Sequence, residues 1–475
     1  MYEMSLTEKT ISFNNLEKEI YQSCCKAGRE LLKNILEEYD TELQNSRDKK
    51  EYRCKGKRKT TVKAIFGEVE FERNIYETTE DGIRKYVYLL DEKLGLHKCG
   101  FFSDMMSKLI AKACCESTYR EAARSVSECS GQSLSHTAAW NLVQQIGNRL
   151  DEHEKDMTSL SVTGESSGTL KTPVLFQEKD GIWLHLQGKD RIYGSSKELK
   201  VSIAYDGAKL VGKKRYELTN KVACASFETA ENFDLRTEGI ISERYDTSMI
   251  QTRLVNGDGA GWVKEEERAP YVYFQLDVFH KNKKVRECIK DLNLRRKIWQ
   301  WLYNCKDSQK ILDGIEGLIN AMEGDPLKAE EQEDLKDLYR YFKDNKQGLR
   351  AFHMRKDIEK PQLGEGKVYR HLGCMESNIF TIIGNRMKGR RACWSIAGAE
   401  NLARILCLKH TKRFDSLESI LSQALLPERY LENVDMMPDY VPKSIGKGYD
   451  GYHQTTCPSC SDYQWLRDLG KIRSF

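Results

Sequence analysis

Apolar residues Leu16, Ile20, Cys24, Leu31, Leu32, Ile35 and Leu36 recur at three- and four-residue spacing among charges, which predicts one long amphipathic helix over 12–46. Its stripe must be covered, either by its own domain or by a second copy. Over 60–73, apolar and polar residues alternate on both sides of Gly67, which predicts a β-hairpin approached by the basic run 53–59. Helical periodicity returns over 105–150. There Tyr119-Arg120-Glu121-Ala122-Ala123-Arg124, a turn at Gly131 and a second start at Ser133-Leu134-Ser135-His136-Thr137 predict a helix-turn-helix, with Ser135 and Thr137 among its DNA-contacting positions. An ordinary helical hairpin fits the same pattern. Residues 151–172 are polar and rich in Ser, Thr and Gly, and read as a linker.

The period then changes to that of strands. Residues 180–187, 199–205 and 216–227 read as three consecutive strands and 230–244 as a helix. Residues 252–256 and 272–276 read as two more strands with a short helix between them. This is the element order of an RNase H-like sheet, although strand spacing alone does not establish one. From 285 to 367 the chain is helical and highly charged, as an all-helical insertion in the sheet domain would be. Beyond 426 the periodicity is weak.

A chain of 475 residues exceeds one ordinary core and suggests two or three domains. Lys+Arg number 76 against 72 Asp+Glu, so affinity for nucleic acid must come from local patches rather than net charge. The densest are Lys55-Gly56-Lys57-Arg58-Lys59, 281–284 and 386–391. Fifteen cysteines, an odd number, and no apolar leader at the N-terminus fit a reducing cytosol. No apolar run approaches bilayer length, so no membrane association is expected.

Three acids in separate segments carry the candidate chemistry. Asp180 lies in Lys179-Asp180-Gly181-Ile182-Trp183, Asp258 in Asn256-Gly257-Asp258-Gly259-Ala260-Gly261-Trp262, and Glu376 opens a helix-like segment at Cys374-Met375-Glu376-Ser377-Asn378. Brought together, such acids can hold two Mg²⁺ ions that activate a water or a 3′-hydroxyl for in-line displacement at phosphorus. Taken singly, each has a plainer reading: Asp-Gly is a turn dipeptide, and Glu376 suits the first turn of any helix. Asp277 and His280, three residues apart at the end of the fifth strand, can orient a phosphate or join a metal shell. His280 can equally cap the strand end. After Glu376, the cations Arg386, Lys388, Arg390 and Arg391 can neutralise phosphates, and Trp394 is either a core residue or a base-stacking ring.

These three signatures, Asp277-Val278-Phe279-His280 and the segment from Gly384 to Ser395 resemble the ISLre-type insertion-sequence transposases, bacterial DDE enzymes related to the Mutator-like group. The likeness covers nearly the whole chain. It implies an RNase H-like α/β catalytic domain with a mixed five-stranded sheet and a helical insertion, preceded by a mainly α region with a β-hairpin and a helix-turn-helix. It also implies Mg²⁺ or Mn²⁺ as cofactor, and cutting and joining of double-stranded DNA at transposon ends and target. By motif, Asp180, Asp258 and Glu376 are the first, second and third acids. Mutator-like relatives carry Cys-x-x-His where this chain has Asp277-x-x-His280, so Asp277 rivals Asp258 for the second place; Asp258 follows the fourth strand and is preferred.

The expected division is 1–50 long helix, 51–100 hairpin region, 101–150 helix-turn-helix, 173–284 and 368–425 the two parts of the catalytic core around the insertion 285–367, and 426–475 a tail. The expected function is a DDE transposase acting as a homodimer or larger assembly, since two ends must be paired. The alternatives are a catalytically silent DNA-binding regulator and a nuclease that does not join strands. Cys457, Cys460 and His453 make only half a zinc site, and the glycines around Asp258 lack the lysine of a phosphate loop.

Overall fold

The computed structural model describes residues 12–80, 82–96, 102–165, 168–264, 270–324, 328–421, 426–427 and 429–430. The chain divides into two compact units, Met1–Ala424 and Leu425–Phe475. In the second, the Tyr430 N–H donates to the Pro427 carbonyl. His453, Cys457 and Cys460 lie outside the described residues.

The predicted long helix is α1 (Phe13–Ser46), started by Ser12, whose hydroxyl accepts the Asn15 N–H at 3.3 Å. Its second half packs Leu32, Leu36, Tyr39 and Leu43 onto Val62, Val69 and Phe71. These come from an antiparallel sheet of β1 (Arg53–Ala64), β2 (Gly67–Glu80) and β3 (Ile83–Val87), which is the expected hairpin plus a third strand. The first half of α1 leaves Phe13, Leu16, Ile20 and Tyr21 exposed. A short α2 (Leu89–Leu94) buries Leu90 against the same cluster.

Three helices follow: α3 (Asp104–Glu116), α4 (Tyr119–Ser130) and α5 (His136–Thr163). A reciprocal capping box of Thr118 and Glu121 opens α4, left-handed Gly131 ends it, and the Ser135 hydroxyl accepts from the Ala138 N–H to open α5. The structure departs here from the expected linker over 151–172, because α5 runs unbroken to Thr163.

The main sheet has five strands in the order β10-β9-β4-β5-β8. They are β4 (Val174–His185), β5 (Ser196–Tyr205), β8 (Val222–Ser226), β9 (Thr252–Gly257) and β10 (Val272–Leu276). β5 runs antiparallel to β4 and β8, whereas β9 is parallel to both β4 and β10. The stretch 216–227, expected as one strand, is two: β7 (Tyr216–Leu218) pairs with β6 (Ala208–Leu210) in a separate small sheet, and left-handed Asn220 divides it from β8. Between β9 and β10 the described residues 258–264 form a turn instead of the expected short helix.

Alternation assigns the sheet's faces. Leu175, Ala204, Val222 and Cys224 pack against Phe233, Ile240 and Ile241 of α6 (Ala230–Arg244). The other face, with Phe176, Ile182, Leu184, Val201 and Ile203, joins one core with α3, α4 and α5. After β10, α7 (Val278–Cys288), α8 (Leu292–Asn304), α9 (Ser308–Asn320) and α10 (Ala329–Asp344) surround a cluster of their own that includes Val285, Leu302, Ile315 and Phe342. The chain returns through short turns to α11 (Met375–Ile379), a single π-helical turn at Phe380–Gly384, and α12 (Asn385–Met387). It ends its described course with α13 (Ile396–His410) and α14 (Ser416–Leu421). No described helix is long and apolar enough to cross a membrane.

Ion pairs explain why the polar stretch after 150 is helical. Arg236 of α6 reaches Asp151 and Glu154 at 2.9 Å each, and Arg404 of α13 reaches the same two acids at 2.7 and 3.3 Å. Nearby, His153 meets Glu243 at 3.0 Å, and Arg413 reaches Glu243 at 2.7 Å. The hydrogen bond to Glu243 raises the His153 pKa, against the effect of burial. The Glu243 carboxyl, which burial alone would raise, is brought down to about 2 by His153 and Arg413. The sign follows: the His153 contribution is complete below its ordinary 6.5 and is lost as pH rises through the raised value. The Glu243 contribution is complete above its ordinary 4.5 and is lost as pH falls towards about 2. In urea unfolding, the stability lost in His153→Ala should therefore be largest between 4.5 and 6.5 and shrink on either side. A pH-independent difference would assign the effect to packing.

Candidate metal centre

Register brings the acids to one edge of the sheet. Glu178 pairs with Asn256, and Asn256 with Gln275, so Asp180 lies just past the part of β4 that pairs with β9, and Asp258 and Asp277 directly follow the last residues of β9 and β10. Asp180 does not begin its strand, as the sequence pattern had it, but lies in the middle of β4 and is buried. Its Oδ1 accepts the Gly181 N–H at 2.8 Å, and its Oδ2 lies 3.5 Å from Nε2 of His280.

Asp180, His280 and Glu376 converge: one ligand atom from each lies within 4.8 Å of the other two. Two carboxylates and an imidazole at that spacing fit a divalent cation. Asp180 is buried, His280 half-buried and Glu376 exposed, so the group is open to solvent on one side. Burial lowers the His280 pKa, but its bond to Asp180 and the charges of Asp180, Asp277 and Asp258 outweigh this and raise it. A cation here would compete with a proton for that ring.

The other sequence candidates take different places. Asp258 falls outside the converging group among the described residues; its Oδ1 accepts the Ala260 N–H at 2.9 Å, and its backbone carbonyl accepts from Tyr341. Its charge still acts on His280 and Glu198. Asp277 is buried and caps α7: Oδ1 accepts the N–H groups of Phe279 and His280, and Oδ2 accepts from Asn256 at 2.7 Å. It therefore aims the His280 helix and is not itself in the group. The capping reading belongs to Asp277, while His280 reaches Asp180.

Trp394 is a core residue. It is buried, bridges to Leu186 and donates its indole N–H to the Met387 carbonyl, so its ring does not stand free for a base. Arg386 lies over the rings of Tyr119 and Trp394 and donates to the Cys114 carbonyl, which makes it part of the junction between α3 and α12. Lys388 and Arg391 are exposed, the latter with a left-handed backbone; the side chain of Arg390 lies outside the described residues. On β1, Lys57, Arg58 and Lys59 are exposed, with Lys59 near Glu70. Thr137 is exposed at the start of α5 beside its cap Ser135.

Two further acids escaped the sequence reading. A Cβ at position 181 would stand 2.0 Å from Oε1 of Glu198, so Gly181 admits that carboxylate in mid-strand and is not a turn residue. Burial raises the Glu198 carboxyl, and the charges of Asp258 and Asp180 add to this. Glu178 is fully buried two residues before Asp180 on the same side of β4. The run Gln177-Glu178-Lys179-Asp180 was the available signal: four polar residues inside a strand flanked by apolar ones.

The model of an uncharacterised protein family, UPF0236, matches residues 6–414. The chain belongs to that family. A UPF0236 protein of Caldanaerobacter subterraneus subsp. tengcongensis, whose name joins eleven numbered loci, is 24% identical over 84% of this chain and 78% of its own length. Another, the UPF0236 protein in the vanSb 3′ region of Streptococcus gallolyticus, is 24% identical over 86% of this chain and 85% of its own. These findings correct the resemblance drawn from the motifs: the family is UPF0236, and these relatives carry that name and not that of the ISLre-type transposases. Motifs of a few residues around acids and glycines recur too readily to fix a family.

Proposed function

We propose that this UPF0236 protein is a DNA transposase of the DDE chemical type, cutting a strand at the ends of its own element and joining the freed 3′-hydroxyl to target DNA. The observation that carries the reading is the convergence of Asp180, His280 and Glu376 from three separate segments. The sheet supports it: an antiparallel β8-β5-β4 side continued by parallel β9 and β10 is the strand order of an RNase H-like fold, with Asp180 just past the part of β4 that pairs with β9. A relative named for eleven loci in one organism fits a gene that multiplies by moving.

Asp180, His280 and Glu376 would hold Mg²⁺ or Mn²⁺, which supplies Lewis-acid activation of the attacking oxygen and stabilisation of the leaving one. The residues of the chain do the rest. Asp180, fixed within the sheet, sets the position of the centre, and exposed Glu376 faces the side from which a phosphodiester approaches. Exposed Lys57, Arg58 and Lys59 on β1, and exposed Lys388 and Arg391 after α12, offer charge to the DNA backbone. The capped pair α4 and α5 serves as a helix-turn-helix that presents His136, Thr137 and Asn141. Pairing two ends requires a dimer or larger assembly, for which the exposed apolar half of α1 offers a surface.

Labelled duplexes carrying the sequences that flank the gene, incubated with the protein and Mg²⁺ or Mn²⁺, test this. Strand cleavage at the element ends together with a joined product is expected. Cleavage without joining would make the protein a nuclease, and binding without either would make it a regulator.

A further inference from the structure

Glu178 has more hydrogen-bond partners than its place in a strand requires. Its Oε2 accepts the backbone N–H groups of Gly373 and Met375 at 3.0 and 3.1 Å and the Asn256 side-chain amide at 3.1 Å. Its Oε1 accepts the Tyr205 hydroxyl at 2.7 Å and the Cys374 thiol at 2.9 Å. Three of these partners, Gly373, Cys374 and Met375, are the residues immediately before Glu376. Left-handed Gly373, with φ of 114°, turns the chain where its own N–H and that of Met375 reach one oxygen, and a Cβ there would stand 3.3 Å from Oδ2 of Asp277.

The same carboxylate reaches the third segment through Asn256. That amide nitrogen also donates to Oδ2 of Asp277 at 2.7 Å, while Oδ1 of Asp277 caps the first turn of α7, where His280 sits. Asn256 itself is fixed by Gln275, which donates to its side-chain oxygen at 3.2 Å. Thus the strand bearing Asp180, the turn bearing Glu376 and the helix bearing His280 meet at one buried side chain. All five groups facing Glu178 donate to its two carboxyl oxygens, which makes it the shared acceptor of these segments.

We infer that Glu178 is a positioning residue for the metal centre: without touching the cation, it holds the segments that carry Asp180, His280 and Glu376 at coordinating distance. This rests on the reading of those three residues as a cation site. Glu178→Gln keeps the shape but turns an N–H₂ towards donors, which should part the Glu376 turn from β4. Loss of such an outer partner lowers metal affinity by about 10–100-fold in known centres.

The test is Mn²⁺ binding to the full chain, followed by electron paramagnetic resonance and calorimetry, with Asp206→Asn as control. Asp206 is another fully buried carboxylate, bonded to Thr219, Asn220 and Lys367. Glu178→Gln should bind Mn²⁺ at least ten-fold more weakly, with cleavage recovered at high Mn²⁺, whereas Asp206→Asn should lose stability but keep its affinity. If the wild type binds no Mn²⁺, the cation reading itself falls. If the wild type binds and Glu178→Gln binds equally well, the positioning role falls. Should Glu178→Gln not fold, Asn256→Ser carries the test, because it removes the amide that joins Glu178 to Asp277, along with its bond from Gln275, and leaves the Glu178 bonds to Gly373, Cys374 and Met375 in place; unchanged affinity there would overturn the proposal.

Discussion

Glu376→Gln should lose metal-dependent strand cleavage by on the order of 10³-fold or more, about 4 kcal/mol of transition-state stabilisation, while folding as the wild type does. Glu376 is exposed at the start of α11, so the amide costs the fold little. What it loses is one of the two carboxylates in the converging group. Asp180→Asn should match this loss. Asp258→Asn should differ in kind: its carboxylate lies outside the group, so the rate should fall while Mn²⁺ binding persists. These variants are checked by single-turnover cleavage beside circular dichroism. Full activity in Glu376→Gln would remove Glu376 from the chemistry, and complete loss of Mn²⁺ binding in Asp258→Asn would return Asp258 to the centre.

The second large effect is on stability. Behind Asp180, on the opposite side of β4, Lys179 is completely buried and its Nζ lies 2.8 Å from Oδ1 of Asp234 on α6. A buried ion pair contributes little net stability over an apolar pair, but removing one partner leaves the other charge uncompensated. Lys179→Met is therefore expected to cost about 3–5 kcal/mol in urea unfolding. The double variant Lys179→Met/Asp234→Leu should recover most of that loss. An equal loss in the double variant would mean that the pair is held for something other than its own charge balance.

How far the sequence disclosed this arrangement depended on the type of signal. Periodic apolar patterns marked α1, the β1–β2 hairpin, α6 and most of the insertion, because each buries one regular stripe or face. The pattern failed over 151–163, where α5 is held by Asp151, His153 and Glu154 through ion pairs with α6, α13 and Arg413 instead of by apolar contacts. It also failed at 216–227, where the left-handed backbone of Asn220 breaks one apparent strand into two sheets.

At the site, Asp180 and Glu376 were legible from their flanking residues, but the partner that meets them was not. Spacing placed Asp258 and Asp277 equally near the strand ends. Only the direction of each side chain separates a turn-capping Asp258, a helix-capping Asp277 and an inward His280. Glu178 was hidden for a related reason: its role lies in five bonds to residues 27 to 197 positions away, and no local pattern records those.

The most direct measurement is Mn²⁺ titration of the wild type followed by electron paramagnetic resonance, compared with Asp180→Asn, His280→Ala and Glu376→Gln. The account predicts a bound Mn²⁺ spectrum in the wild type that each of the three substitutions weakens or removes. A wild type that leaves all Mn²⁺ free, or three variants that bind it as the wild type does, would contradict it.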